Sequence, residues 1–355
     1  MVAGCCFLEL AKIRVMFSWM HKSLACVIMV FCVAMAAAQN KHVVTFYNVE
    51  NLYDTINAPY MDDDDMLPLA DKEWNSKRYF DKVTSIASVI SDMTSFGDFP
   101  VIVGLAEVEN RGVVEDIANS KILEGANYGV CHYDSDDERA IDVAMLYRKD
   151  LFNLHGSCAV KVDLASPTRD ILVAWGELCG EPALVMIMHW PSRVGGVHLT
   201  RPLRAACAAK VREIVDSVNA KAPNTKIIIM GDMNDTPRNH SVRRVLGASN
   251  KADSDIYNPF AKQIARGSMV YDGRWYLYDQ IMLSQNLMSG DGLHLLTSKK
   301  GGRRVKNVGI RPAGVFSPAY LLDRHGYPLS TYEGDEYTGG VSDHLPVYVI
   351  MCGGK

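Results

Sequence analysis

The sequence predicts an α/β domain in which two β-sheets pack face to face with helices on their outer surfaces. Three observations carry that expectation. Short apolar runs of strand length alternate with stretches of helical periodicity. Two long stretches, 42–147 and 183–283, each contain strand–helix–strand units. Four of the apolar runs end in a polar cluster, at Val43–Asn51, Val101–Asn110, Leu184–Arg193 and Ile227–Asp235. Buried strands that deliver polar groups at one end describe a scaffold with a single site on its rim.

The expected strands are His42–Asn48, Val101–Leu105, Ile141–Tyr147, Ile171–Glu177, Ala183–His189, Lys226–Met230, Asp279–Leu283 and Pro346–Met351. Tyr79–Met93 reads as a helix because Phe80, Val83, Ile86, Ala87 and Ile90 recur at helical spacing. Pro202–Val218 does the same with Leu203, Ala206, Val211, Ile214 and Val215. No low-complexity linker interrupts Lys41 to Ile350, so residues 39–355 are expected to form a single domain. At 355 residues, 48% of them apolar, the chain can bury a sizeable core. Asp62 to Asp65 reads as a solvated acidic loop.

The N-terminus has the pattern of a signal peptide. Lys22 precedes an apolar run from Leu24 to Ala37, and Ala36-Ala37-Ala38 supplies small residues for cleavage. The run falls short of the roughly 20 residues of a transmembrane helix. Residues 1–38 are therefore expected to be removed, leaving an exported chain, periplasmic or secreted, monomeric and without a membrane span. Loss of Lys12, Arg14, Lys22 and Glu9 leaves 34 basic and 40 acidic residues, a net charge of −6. That balance opposes binding of polyanions by bulk electrostatics and leaves room for a local basic cleft. Arg139, Arg193, Arg201, Arg303, Arg304 and Lys306 are the candidates for such a cleft. Five cysteines lie beyond the leader, with no metal-ligand spacing. Among them Cys158 and Cys179 fit either a disulfide or two buried thiols.

Five clusters carry candidate chemistry. Asn48 ends the first strand, where its carboxamide can ligate a hard cation, position a carboxylate or serve a turn. Glu107 leaves the Val101–Leu105 strand, and a carboxylate there suits a divalent cation. Glu109, one step onward, reads as exposed. His189 ends the next strand and fits a catalytic or a structural imidazole equally. Arg193 after it can offer paired donors to a phosphate. Asp232 and Asn234, two residues apart in Gly231-Asp-Met-Asn234, project to one side of an extended exit. There Asp can accept a proton from water and Asn can orient it. Ser342-Asp343-His344 joins a carboxylate to a titratable imidazole, with Ser342 read as a turn hydroxyl. Gly231 to Asp235 also spells part of a binuclear calcineurin-like signature, but the upstream D-x-H and downstream G-N-H motifs it needs are missing.

Taken together, N-V-E-N-L at Asn48–Leu52, E-V-E-N at Glu107–Asn110, G-D-M-N at Gly231–Asn234 and S-D-H-L-P at Ser342–Pro346 resemble the endonuclease/exonuclease/phosphatase superfamily, which includes DNase I-like nucleases. The resemblance spans Val43 to Ile350. It implies a four-layer α/β-sandwich of two mixed β-sheets flanked by helices, and a phosphoesterase using Mg²⁺, with Mn²⁺ or Ca²⁺ as substitutes. It implies Glu107 as principal metal ligand, with Asn48 and Asp343 beside it. Asp232 would orient or deprotonate the attacking water, Asn234 would bind the phosphate, and His189 and His344 would donate to the transition state. By the same resemblance Asp279 would support His344 and Asp142 would support His189, although both also fit as structural acids. Two such His–carboxylate pairs would favour the DNase or sphingomyelinase branches, and a nuclease acting on DNA or RNA is the leading expectation. Lipid or small phosphorylated substrates are the alternative, and a non-catalytic binding module would be expected to lose some of these positions. Trp190–Arg193 and Ser268–Asp279 depart from DNase I and are closer to secreted bacterial members. Tyr271, Trp275 and Tyr276 in the second of these segments could stack on a base or pack on the core.

Overall fold

The computed structural model describes residues 40–353 apart from 60, 252, 263–265, 289, 291, 297–298, 301–302 and 305–310. The expected signal peptide, Lys306 and the side chains of Arg303 and Arg304 lie outside the described residues. In chain order the main elements begin with β1 (Lys41–Leu52), α1 (Ser76–Asp92), β2 (Ile102–Val108), α2 (Arg111–Ala118), β3 (Tyr128–His132) and β4 (Asp142–Arg148). The second half contributes β5 (Phe152–Val160), β6 (Ile171–Leu178), β7 (Glu181–His189), α3 (Val197–Lys221) and β8 (Lys226–Asp232). The remainder supplies β9 (Ile256–Tyr257), β10 (Met269–Tyr271), β11 (Arg274–Tyr276), β12 (Asp279–Ser284), β13 (His294–Leu295), β14 (Ala313–Val315) and β15 (Val347–Cys352).

Two mixed sheets result. One runs β13-β15-β1-β2-β4-β3 with β14 also on β15; the other runs β5-β6-β7-β8-β12-β9. Each contains one parallel pair, β1 with β2 and β7 with β8, joined by a helix, α1 and α3 respectively. A parallel pair needs such a crossover, and it brings the C-terminal ends of two successive strands side by side. The strand patterning explains the layers. Along β1, Val44 and Phe46 face the second sheet, where they meet Val185, Met230 and Ile281. Tyr47 and Val49 face the other way, onto Val83 and Ile86 of α1 and Val113 of α2. On the far sheet, Met186 and Ile229 pack against Cys207 and Val211 of α3. The order of layers is helices, sheet, sheet, helix, as the resemblance implied. Each fully buried Val, Leu, Ile or Met in these layers contributes about 1.5–3 kcal/mol. Among the described residues no helix is long and apolar enough to cross a membrane.

All eight expected strands and both expected helices are present, and the differences have local causes. Helix α1 starts at Ser76, because the Asn75 side chain accepts from the N–H groups of Lys77 and Arg78. Phe80, assigned to its apolar face, is instead 55% exposed, and Tyr79 takes the buried place. Helix α3 begins five residues earlier than expected, at Val197. The acidic loop is not uniformly solvated: Asp63 is buried and accepts from the Ala58 N–H at 2.8 Å. Cys158 and Cys179 are separate free thiols. Cys158 stands opposite Val173, whereas Cys179 follows Leu178, the partner of Phe152. Six residues of strand, about 20 Å, separate those two levels of the ladder.

Gly231 illustrates how tightly the rim is assembled. A Cβ at Gly231 would lie 2.1 Å from the Met188 carbonyl oxygen of the neighbouring strand. Gly231→Ala is therefore expected to push β7 from β8 and destabilise the fold by about 1–3 kcal/mol, read as a lower midpoint in urea unfolding.

Candidate active site

The ends of both parallel pairs meet at one rim. On the second sheet His189, Asp232 and Asp279 are register partners across β7, β8 and β12. On the first sheet Asn48 lies at the register break of β1, Glu107 near the end of β2, and His344 just ahead of β15. Asn48 bridges the sheets. Its Nδ2 donates to Glu107 Oε1 and to Asp232 Oδ2, each at 3.2 Å. Its Oδ1 accepts from the Glu50 N–H at 3.0 Å. Of the roles open to Asn48, its hydrogen bonds serve two: Nδ2 positions the Glu107 and Asp232 carboxylates, and Oδ1 closes a turn onto the Glu50 N–H.

Backbone strain is concentrated here. Glu50, Asn51, Glu107 and Asn234 all have left-handed φ, of 53°, 49°, 63° and 46°. Register breaks between Asn48 and Leu52 and between Ala106 and Val108 accompany the first three. A bulge of this kind re-aims a side chain out of the strand alternation. Glu107 is thereby turned toward the rim, where Oε2 accepts from the Asn51 N–H at 3.0 Å.

Asp232 occupies the centre. Its Oδ1 accepts from the Asn234 N–H at 2.8 Å. Its Oδ2 lies 3.6 Å from His189 Nε2 and 3.8 Å from His344 Nε2. Burial, reinforced by Asp279, pushes the Asp232 carboxyl up to about 7. The two imidazoles are displaced in opposite directions. His189 is held well below its ordinary value by burial and by the charges of Arg169 and Arg139. For His344 burial also acts downward, but Asp279, Asp343 and Asp232 outweigh it and hold the imidazolium well above the ordinary value. The Asp279 contact is direct, 2.7 Å from Oδ2 to Nδ1. Asp232, Asp279 and His344 offer ligand atoms within 4.8 Å of one another. Within this group Asp279 and His344 are hydrogen-bonded, whereas Asp232 faces the His344 Nε2 at 3.8 Å without a hydrogen bond.

Asp343 closes the rim from the other side. Its N–H donates to Glu50 Oε2 at 3.0 Å, and Ser342 Oγ donates to the Asn48 carbonyl at 2.7 Å. Burial, with Glu50 and Glu107 adding to it against the opposing pull of His344, pushes Asp343 up to about 7. Glu107 and Asp343 thus place repelling carboxylates at a largely buried rim, a donor set that suits a hard divalent cation.

Three sequence expectations are corrected by the geometry. Asp142 does not support His189. Its Oδ2 lies 3.5 Å from His132 Nε2 and its Oδ1 accepts from the Ser135 N–H, while His189 Nδ1 has no hydrogen-bond partner among the described residues. The cause is position: Asp142 starts β4 diagonally opposite His132 of β3 and turns to that neighbour. Arg193 is not an open phosphate clamp. Its Nε donates to the Asn234 carbonyl at 2.7 Å, its Nη2 to Asp235 Oδ1 at 2.6 Å, and its plane covers the Tyr278 ring. Asp235 is buried, so it draws in Arg193 and, at 3.0 Å, Arg204. Glu109, expected to be exposed, is buried and accepts from the Asp54 N–H at 2.6 Å. Asn234 stands beside Asp232, but its Nδ2 donates to the Trp190 carbonyl at 2.9 Å.

Other residues emerge only from the fold. Lys82 of α1 is buried, donating to the Glu50 carbonyl and, at 2.6 Å, to Thr331 Oγ1. A lysine within the buried stripe of an amphipathic helix was the available signal. Of the basic residues named above, Arg139 reaches the site, 3.8 Å from Glu107, with its Nη2 donating to Asn51 Oδ1 at 2.6 Å. Arg201 is exposed on the first turns of α3.

The raised values of Asp232, Asp343 and His344 share one sign. Each favours the protonated folded protein, so its stabilisation is present at low pH and lost as pH rises through the folded-state value. For the two aspartates that window runs from about 4 to about 7. In the chelated protein this contribution to thermal stability is expected to fall across that window. Added Mg²⁺ should then raise the melting temperature more at pH 8 than at pH 5.5; an equal rise at both would contradict the assignment.

Comparison with known proteins places the fold. The sequence matches the Endonuclease/Exonuclease/phosphatase family over residues 43–352. A humanized TDP2 from D. rerio is similar in structure, with 14% identity, coverage of 88% of this chain and 98% of that one, and a TM-score of 0.55. D. rerio TDP2 complexed with single strand DNA product gives 14%, 88%, 98% and 0.54. The Bacteroides thetaiotaomicron mannosyl-6-phosphatase Bt3783 gives 18%, 87%, 99% and 0.52. Likeness at these identities is one of fold. A search of curated proteins gives no match. With the family's sequence pattern covering nearly all of the described chain, and its strand ends converging on one acidic, histidine-bearing rim, the protein belongs to the endonuclease/exonuclease/phosphatase family.

Proposed function

We propose that this protein is an exported, monomeric, metal-dependent phosphoesterase that hydrolyses a phosphodiester by in-line attack of water, with nucleic acid as its substrate. The observation that carries the reaction is Asp232, whose Oδ2 faces Asn48 and both imidazoles from within a buried rim. Mg²⁺, or Mn²⁺ or Ca²⁺ in its place, would be held by Glu107 and Asp343 with Asn48 beside them, supplying positive charge to a phosphate oxygen. Asp232, with its raised proton affinity, takes a proton from the attacking water near neutral pH. His189, neutral, donates a hydrogen bond from one ring nitrogen to a phosphate oxygen. His344, kept cationic by Asp279, donates from Nε2 and compensates charge gathering on the phosphorane-like transition state. Asn48 keeps the Glu107 and Asp232 carboxylates apart and aligned.

The nucleic-acid reading is supported by what borders the rim. A cleft of about 310 Å³ is lined by Arg238, Arg266, Trp275 and Tyr276, among others. Arg266 lies 5.2 Å over the Trp275 ring. Cations interleaved with aromatic faces suit phosphates and bases. The DNA-bound TDP2 structure shares this fold. A small phosphorylated substrate is the second reading, favoured by the net charge of −6 left after signal removal and by the fold shared with a mannosyl-6-phosphatase. Export rests on the leader-like residues 1–38.

The purified protein should be assayed with Mg²⁺ against supercoiled DNA, RNA, sphingomyelin, inositol phosphates and mannose 6-phosphate. Asp232→Asn and His344→Ala are each expected to lower the rate by about 100- to 10,000-fold. Unchanged hydrolysis in either variant would refute the mechanism. For a nucleic-acid substrate, kcat/KM should fall at least about tenfold between about 50 and 200 mM salt. A flat salt response with turnover of mannose 6-phosphate would select the second reading.

A further inference from the structure

The rim of the first sheet continues outward past Glu107. Asp142 starts β4 and His132 ends β3, the edge strand. Their side chains are almost fully buried, at 5% and 2% exposure, yet His132 Nε2 has no hydrogen-bond partner among the described residues. A buried imidazole nitrogen without a partner loses its hydration for nothing in return unless a ligand meets it. The atom it faces is Asp142 Oδ2 at 3.5 Å. Two ligands held about 2.1 Å from a tetrahedral Zn²⁺ lie about 3.4 Å apart. The separation is therefore that of two ligands sharing a cation. Asp134 completes the group. All three side chains offer one ligand atom each within 4.8 Å of one another, although Asp134 Oδ1 also lies 3.7 Å from the Nδ1 edge of the ring. Asp134 is 85% exposed, so the group reaches solvent on the Asp134 side. The second oxygen of Asp142 accepts from the Ser135 N–H at 3.0 Å, which orients the carboxylate as outer partners of metal ligands do.

We propose that His132, Asp142 and Asp134 form a second divalent-cation site, separate from the Glu107–Asp343 rim and suited by its imidazole to Zn²⁺. One imidazole with two carboxylates is a ligand set for Zn²⁺ rather than for the all-oxygen shell of Mg²⁺ or Ca²⁺. A cation there would brace the 133–141 segment. That segment is tied to the candidate active site through Arg139, whose carbonyl accepts from Tyr53 Oη at 2.6 Å and whose guanidinium lies 3.8 Å from Glu107. It is tied to the second sheet through Asp137, which accepts from Arg169 at 2.8 Å.

The test is zinc binding by the chelated and repurified protein, counted by equilibrium dialysis against zinc chloride. His132→Ala and Asp142→Asn should each lose about one equivalent of zinc, while Glu107→Gln keeps it; Asp134→Asn should bind about tenfold more weakly. Crystals of the unsubstituted protein soaked in zinc should carry an anomalous peak beside His132 Nε2, a readout that needs no variant to fold. Full zinc content in both His132→Ala and Asp142→Asn, or an anomalous map with no peak at that nitrogen, overturns the site. Zinc lost in Glu107→Gln alone assigns the metal to the candidate active site, which overturns this inference and leaves the proposed hydrolysis standing.

Discussion

The parallel pairing of β1 with β2 and of β7 with β8 is the constraint on which the rest of the molecule depends. Each pair sends its two strands in the same direction, so the residues that leave them, Asn48 with Glu107 and His189 with Asp232, emerge side by side. Packing the two sheets face to face then sets one couple against the other across the apolar layer of Phe46, Val185 and Met230. The antiparallel β12 and β15 enter where those strands leave, which brings Asp279 and His344 to the same rim. A site with contributions from six separate segments needs no long loop to gather it.

The rim is costly in isolation. Asp232 and Asp343 are carboxylates in surroundings that disfavour their charge, and burial is the leading cause in both. The protein offsets this partly with its own cations, Lys82 beside Glu50 and Arg139 beside Glu107. The two imidazoles display how a partner decides the outcome of burial. Both are buried, and burial pulls both down; His344, bonded to Asp279, is nevertheless carried upward, while His189, facing Arg169 and Arg139, is carried further down. The two imidazoles that flank one carboxylate are therefore displaced in opposite directions, His189 toward the neutral form and His344 toward the cationic one.

Much of this was legible in the chain. Every expected strand formed, because buried strands need continuous apolar runs and those runs are conspicuous. The pairing of His344 with Asp279 was also anticipated, through the motifs that carry them. The misplacements share a cause. Arg193 and Glu109 take their expected roles from neighbours in sequence and Asp142 from the resemblance, but their partners are remote or lie across a turn: Asp235 after β8, the Asp54 N–H, and His132 on β3. Phe80 was assigned by helical period alone, and a change of one residue in the buried stripe placed Tyr79 inward instead.

Sequence by itself determined the α/β class, the strand ends at which polar groups appear, and the family whose motifs those groups spell, since hydrophobic period and motif spacing are local properties of the chain. Apart from the pairing of His344 with Asp279, tertiary structure alone decided which of the polar groups face one another. It turned Glu107 toward the rim through a left-handed bulge, enlisted Lys82 from within a helix, and spent Arg193 on a buried aspartate. The physical reason is that a charged side chain in a folded protein takes the partner that best offsets its desolvation, and that partner is fixed by the packing of whole sheets rather than by distance along the chain.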